Sequence, residues 1–160
     1  MSERSSDYLD RLYDEHALAA FLEREVGPGG DLRIEYHQAG HSNETLFVGW
    51  GDRELVLRRP PAGETADSAH DVLREHRVMA ALAESDVPVP RMVAACDDHA
   101  VIGSDFYVME RLDGDVIRDT EPDRFSTPEQ RRRLSEAFVD VLAEIHTLDP
   151  AAVGPDDPGH

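Results

Sequence analysis

The first third of the chain shows a helical pattern of hydrophobic residues followed by a strand pattern. Between Asp14 and Val26, apolar residues recur three and four positions apart, which predicts an amphipathic helix that the sequence GPGG ends. Alternation in DLRIEYHQ predicts a half-buried strand, and ETLFVGW and RELVLRR predict two more. Gly51-Asp52 between the last two predicts a tight hairpin turn, although Gly-Asp is a weaker turn signal than Asn-Gly. These segments therefore predict an antiparallel meander.

The middle of the chain adds a helix and two strands. An apolar stripe from about Ala69 to Glu84 predicts a helix, which SDVPVP interrupts. RMVAAC and DFYVMERL predict strands four and five. Thr127 as cap and Pro128 at the first helical position then predict a second long helix, which runs to about His146. The order β-β-β-α-β-β predicts an α+β fold with a five-stranded antiparallel sheet and one main helix.

The charge balance narrows the classes of partner. Thirty-four acidic residues stand against sixteen basic ones, the formal net charge is −18, and every cation is an arginine. Such a surface repels nucleic acid and acidic membranes, so both are excluded as general partners. An acidic chain without lysine also suggests adaptation to high salt, where self-repulsion is screened.

Targeting signals and disulfides are not apparent in the sequence. No apolar run approaches the roughly 18 residues of a membrane-spanning helix, and MSERSSDYLD lacks the apolar stretch of a secretory signal. A single cysteine, Cys96, cannot form an internal disulfide and is more often a core residue than a nucleophile. We therefore expect a reduced, cytoplasmic protein.

Small and polar residues lie between the first two predicted strands. In AGHSN (residues 39–43), backbone N–H groups could approach phosphate oxygens, as in glycine-rich phosphate loops. An ordinary hairpin turn is the alternative, and the turn by itself does not decide between them.

Two arginines end the third strand, RELVLRR. Charged residues at a strand end usually reach solvent, but strand alternation separates Arg58 from the two leucines, and Arg59 points away from Arg58. Glu75 lies on the apolar stripe of the following helix, where an unpaired carboxylate is costly. We therefore predict that Arg58, and not Arg59, pairs with Glu75. The alternatives are an acid that merely favours the helix dipole and an arginine that reaches solvent.

The turn, the strand cation and the helix acid occur in the order of the ATP-binding arrangement of a kinase small lobe. GHSNETLFV, LVLRRPPAG, SAHDVLREHRVMAAL, VPVPRMVAACDD, GSDFYVMERLDGDVI and LAEIHTLD resemble the aminoglycoside phosphotransferase family over roughly residues 14–149. The resemblance is to the branch whose kinase-like domain occurs alone or fused to acyl-CoA dehydrogenases. It implies a protein-kinase-like fold, ATP with magnesium as phosphoryl donor, and transfer to a hydroxyl group of a small molecule.

The resemblance also implies roles for individual residues. Arg58 stands where a lysine or arginine meets the phosphates, with Glu75 as its helix partner, and arginine binds phosphate through a planar fork rather than a point charge. The remaining cofactor-binding residues are the phosphate turn and the adenine-binding hinge: Gly40, His41, Ser42, Asn43, Met109, Glu110 and Arg111.

The family's catalytic loop, H-G-D-x-x-x-x-N, does not occur in residues 1–160, and neither does its second magnesium-binding aspartate. We therefore expect a flexible N-terminus (1–13), an ATP-binding small lobe (14–112), and the hinge exit with the start of an incomplete large lobe (113–160). On this reading the chain is a fragment or a truncated relative, without catalytic or metal-binding residues. Magnesium is expected only in a full-length relative. The sequence does not identify the small molecule whose hydroxyl group accepts the phosphate.

The alternative function is non-catalytic binding of a nucleotide or of a partner protein. His70 and His76 do not share a helix face, so a metal pair is not expected. The apolar stripe from Leu134 to Ile145 would face the missing part of the large lobe. We expect it to form an exposed patch that promotes dimerisation or aggregation in low salt.

Overall fold

The computed structural model describes Tyr8 and residues 11–37, 43–62, 71–117 and 122–149. The elements in chain order are α1 (Glu15–Glu25), β1 (Leu32–His37), β2 (Glu44–Trp50), β3 (Arg53–Arg59), α2 (Val72–Leu82), β4 (Met92–Cys96), α3 (His99–Ile102), β5 (Phe106–Glu110), a 3-10 helix (Asp123–Phe125) and α4 (Pro128–Thr147). The predicted α+β fold is confirmed. The short helix α3 was missed, because a four-residue helix is too short to show periodicity.

The sheet has five antiparallel strands in the order β1-β2-β3-β5-β4. The predicted β2–β3 hairpin is present, with Trp50 opposite Arg53. Gly51 in its turn has a φ of 62°, a left-handed conformation that glycine adopts without steric cost. The β4–β5 pairing is irregular between Met92 and Ala94.

One face of the sheet carries the hydrophobic core. Helix α1 begins at Asp14, whose side chain accepts a hydrogen bond from the N–H of Ala17. The rings of Phe21 in α1 and Phe106 in β5 meet edge to face at 4.9 Å. The core joins buried residues of α1 to those of the strands: Leu18, Phe21, Leu22, Leu46, Val48, Leu55, Leu57, Phe106 and Val108.

The opposite face of the sheet is only partly covered. Helix α2 packs against β4 and β5 and reaches the face that carries Arg58, Tyr107 and Met109. Its first described residue is Val72, with Asp71 as the N-cap, while the earlier predicted residues Ala69 and His70 lie outside the described ranges. The uncovered part of this face leaves room for a ligand.

Arg59 does not reach solvent as a charged residue at a strand end usually does. Its side chain lies on the core face, and the residue is only 3% exposed. The guanidinium donates through Nη1 to the carbonyls of Leu12 and Ile102, and through Nε to that of Pro60. The general expectation for a strand end is wrong for Arg59, because the segment before α1 and the end of α3 close over it.

Helix α4 begins at a capping box. The backbone N–H of Gln130 donates to Thr127 Oγ1, which confirms Thr127 as the predicted cap. Gln130 Oε1 accepts in turn from the Thr127 N–H, a contact that was not predicted. The helix buries no residue against the described part of the chain. Its large apolar side chains stay exposed: Phe138, Val139, Leu142 and Ile145. None of the helices in the described ranges is long and apolar enough to cross a bilayer.

Self-association through this exposed face of α4 stays a prediction. Because an exposed apolar patch is costly in water, we expect an average mass larger than that of a monomer even in low salt, where the charge repulsion between copies is least screened. Sedimentation velocity across a salt series measures it, and Leu142→Glu should restore the monomer. A monomer at every salt concentration would contradict the prediction.

Candidate functional site

The centre of the candidate site is an ion pair between β3 and α2. Arg58 Nη2 lies 3.5 Å from Glu75 Oε2. The Arg58 side chain is 26% exposed and that of Glu75 is 39% exposed, so the pair faces open space beside the sheet. The predicted pairing of Arg58, rather than Arg59, with Glu75 is confirmed. Solvent screening makes the attraction itself modest.

Glu75 has two further partners, Asn43 and Tyr107, and neither contact was predicted from the sequence. Its Oε1 accepts a hydrogen bond of 2.8 Å from Asn43 Nδ2, and its Oε2 accepts one of 3.1 Å from the hydroxyl of Tyr107. Burial, and then the negative charge of Glu75, raise the pKa of Tyr107, so this hydroxyl keeps its proton. Strand alternation could have identified Tyr107 as a residue of this site, because it lies two residues before Met109 and therefore on the same face of the sheet.

The phosphate turn is only partly described. Gly40, His41 and Ser42 lie outside the described residues, and Asn43 immediately precedes β2. The Asn43 side chain is 8% exposed and binds Glu75. The structure therefore connects the end of this turn to α2.

Two neighbouring cavities lie along the partly covered face. One, of about 610 Å³, is lined by Arg58, Glu75 and Tyr107 among others. The second, of about 680 Å³, extends towards the predicted hinge and has apolar walls that include Phe47, Val56 and Leu112. Met109 and Pro90 line both cavities, so the two cavities meet at these residues.

The predicted hinge, Met109 to Arg111, already uses two of its backbone donors within the protein. The N–H of Glu110 donates to the carbonyl of Arg91 at 3.0 Å, and the N–H of Arg111 donates to that of Glu54 at 3.1 Å. Among the described residues, the N–H of Leu112 makes no backbone hydrogen bond. Leu112, one residue beyond the predicted segment, also lines the second cavity.

Side chains also shape the entrance to the second cavity. The guanidinium carbon of Arg111 lies 3.8 Å from the centroid of the Phe47 ring, and His37 stacks on the same ring at 4.5 Å. Glu54 Oε2 lies 3.5 Å from Arg111 Nη1 and helps to hold the guanidinium there. The sequence does not reveal this contact, because the approach of Arg111 to Phe47 depends on the register between strands.

No group of three or more potential metal ligands forms in the described part of the chain. His70 lies outside it, and the ring of His76 packs 5.9 Å from that of Tyr107. Burial, and then the neighbouring Arg77, lower the pKa of His76. Cys96 is buried, and burial raises the pKa of its thiol, which agrees with a core cysteine rather than a nucleophile.

The chain is similar to known proteins over most of its length. The Phosphotransferase enzyme family matches residues 33–160. The chain belongs to this family. Mouse acyl-CoA dehydrogenase family member 10 is 37% identical over 130 residues, which are 81% of this chain and 12% of the mouse protein. Human acyl-CoA dehydrogenase family member 11 is 35% identical over 142 residues, which are 86% of this chain and 18% of the human protein.

A solved structure gives the same fold. A crystal structure of an aminoglycoside phosphotransferase from Ralstonia eutropha, so described, superimposes with a TM-score of 0.75 at 35% identity. The match covers 92% of this chain and 42% of the other. The resemblance to aminoglycoside phosphotransferases, in the branch joined to acyl-CoA dehydrogenases, is thus confirmed. The chain spans less than half the length of each of these relatives.

Proposed function

We propose that this chain is the ATP-binding lobe of a kinase that transfers the γ-phosphate of ATP to a hydroxyl group of a small molecule. The observation that carries the proposal is the Arg58–Glu75 ion pair, which lines the cavity along α2. This cavity adjoins the cavity along the hinge at Met109 and Pro90. A fixed cation on the third strand, paired with a helix carboxylate, is the arrangement that kinases use for nucleotide phosphates.

The chemistry of the two cavities fits the two ends of ATP. The apolar walls at Phe47 and Val56 suit a purine base, for which the Leu112 N–H is a suitable donor. The phosphates would then lie towards Arg58, whose planar fork can bind two phosphate oxygens at once. Base and phosphates are thereby assigned to opposite ends of one continuous groove.

The proposal assigns no catalytic base and no magnesium ligand to these residues. The H-G-D-x-x-x-x-N sequence does not occur in residues 1–160, and no cluster of metal ligands forms in the described ranges. When bound, magnesium would supply positive charge that neutralises the phosphates. This chain by itself is therefore expected to bind ATP without detectable turnover.

We expect weak ATP binding that depends on Arg58. The four charges of ATP meet a protein of net charge −18, so the Kd should lie near the millimolar range, at about −4 kcal/mol. Binding should strengthen with salt, which screens the repulsion. Arg58→Ala should weaken it roughly tenfold, since it removes a charge-assisted contact to phosphate. Isothermal titration with ATP, with and without magnesium, measures these effects.

The control is Arg24→Ala, which removes an exposed arginine of α1 that pairs with Glu25. It changes the net charge as Arg58→Ala does, but lies on the core side of the sheet, so ATP affinity should stay unchanged. Tight, magnesium-dependent binding that is insensitive to Arg58→Ala would mean that the site lies elsewhere.

A further inference from the structure

We propose that Tyr107 and Asn43 are positioning residues that hold the Glu75 carboxylate, and through it Arg58, in one orientation. The inference stands on the geometry around Glu75. Its consequence for nucleotide phosphates rests on the proposed function.

The need for such positioning follows from the exposure of the ion pair. An arginine and a glutamate that face solvent on flexible side chains adopt many geometries, and their attraction is weakened by screening. The 3.5 Å separation of Arg58 and Glu75, at side-chain exposures of 26% and 39%, would by itself be a loose contact. Additional hydrogen bonds to the carboxylate remove that freedom.

Tyr107 supplies the more rigid of the two contacts. It lies directly opposite Arg58 in the β3–β5 register, and the residue is 1% exposed. A carboxylate accepts hydrogen bonds only, so the hydroxyl must donate to Glu75 Oε2, which is also the oxygen nearest to Arg58. Two paired strands thus present a hydroxyl and a guanidinium to the same oxygen.

Asn43 holds the other carboxylate oxygen. Its Nδ2 donates to Glu75 Oε1, and because that oxygen only accepts, the amide orientation is determined. Asn43 ends the segment that connects β1 to β2, so this bond links the predicted phosphate turn to α2. Displacement of the turn would therefore move Glu75, and Arg58 with it.

The buried side of Arg58 offers a direct probe of this arrangement. Its Nε is shielded from solvent and makes no hydrogen bond to the described residues, as is also true of Asn43 Oδ1. Within the described residues, burial and not a hydrogen bond protects the Nε–H. Its exchange with solvent should report whether the guanidinium stays in place.

The test is Tyr107→Phe, which removes one oxygen and keeps the ring. By NMR on the nucleotide-free protein, we expect the Arg58 Nε–H to exchange at least about fivefold faster than in the wild type, since a hydrogen bond to a charged group is lost. Asn43→Ala should act in the same direction. In titrations, Tyr107→Phe should weaken ATP binding about fivefold and leave the affinity for adenosine, which has no phosphate, unchanged.

The matched control is Tyr36→Phe, because the Tyr36 hydroxyl also donates to a glutamate, Glu44, at 2.6 Å. Tyr36 lies on the opposite face of the sheet, so neither Arg58 exchange nor the ratio of ATP to adenosine affinity should change. Unchanged exchange in both Tyr107→Phe and Asn43→Ala would overturn the inference, as would an equal loss of ATP and adenosine affinity in Tyr107→Phe. If the wild type binds neither ligand, the proposed function fails, and the exchange rates still decide whether Arg58 is positioned in this way.

Discussion

Arg59→Ala is expected to lower the free energy of unfolding by about 3 kcal/mol, and Arg58→Ala by about 1 kcal/mol or less. The two arginines are neighbours in β3, but only Arg59 is buried. Its guanidinium satisfies the carbonyl oxygens of Leu12, Pro60 and Ile102. Removing it would leave these acceptors unpaired in the interior and would also leave a cavity.

The charge on Arg59 adds to this effect. Burial lowers its pKa, while Tyr8 and the buried Glu44 raise it, and an arginine keeps its proton in a protein. Replacing it removes the positive charge that acts on the buried Glu44 carboxylate, which would keep its hydrogen bonds from the hydroxyls of Tyr8 and Tyr36 but lose this compensating charge. Chemical denaturation with urea measures both variants against the wild type. Equal losses for Arg58→Ala and Arg59→Ala would show that Arg59 is not buried as described.

Phe106→Ala should have the largest effect on stability, a loss of about 4 kcal/mol. Phe106 is fully buried in β5, and its ring packs edge to face against Phe21 of α1. Truncation would remove the ring contact with Phe21 and leave a cavity that neighbouring side chains cannot fill without moving. Because small domains have only about 5–15 kcal/mol of stability, this variant should be partly unfolded at moderate temperature.

The matched control is Phe138→Ala in α4, where the same substitution should change stability by less than about 0.5 kcal/mol. Phe138 is 70% exposed, so its truncation removes little buried surface. Thermal unfolding followed by circular dichroism compares the two variants. A loss above about 2 kcal/mol for Phe138→Ala would mean that α4 packs against the protein in solution.

Local patterns in the sequence determined the elements and their order. Alternation in RELVLRR placed Arg58 on the face opposite the leucines, and the structure confirms that face and the pairing with Glu75. The strength of this inference lies in geometry, since strand parity and helix periodicity follow from the backbone alone. The Thr127 cap and the Gly51 turn were also predictable, because each depends on the preferences of residues close together in the chain.

Only the tertiary structure decided which side chains are buried and which converge. Parity assigns Arg59 to the face of the leucines, but it does not reveal that backbone carbonyls near α1 and α3 surround its guanidinium. The convergence of Asn43 and Tyr107 on Glu75 likewise joins distant residues. Asn43 lies 32 positions before Glu75 in the chain, and Tyr107 lies 32 positions after it. Such contacts depend on the register between strands and on where α2 crosses the sheet. A local pattern determines the direction of a side chain, whereas the packing of distant segments determines what that side chain meets.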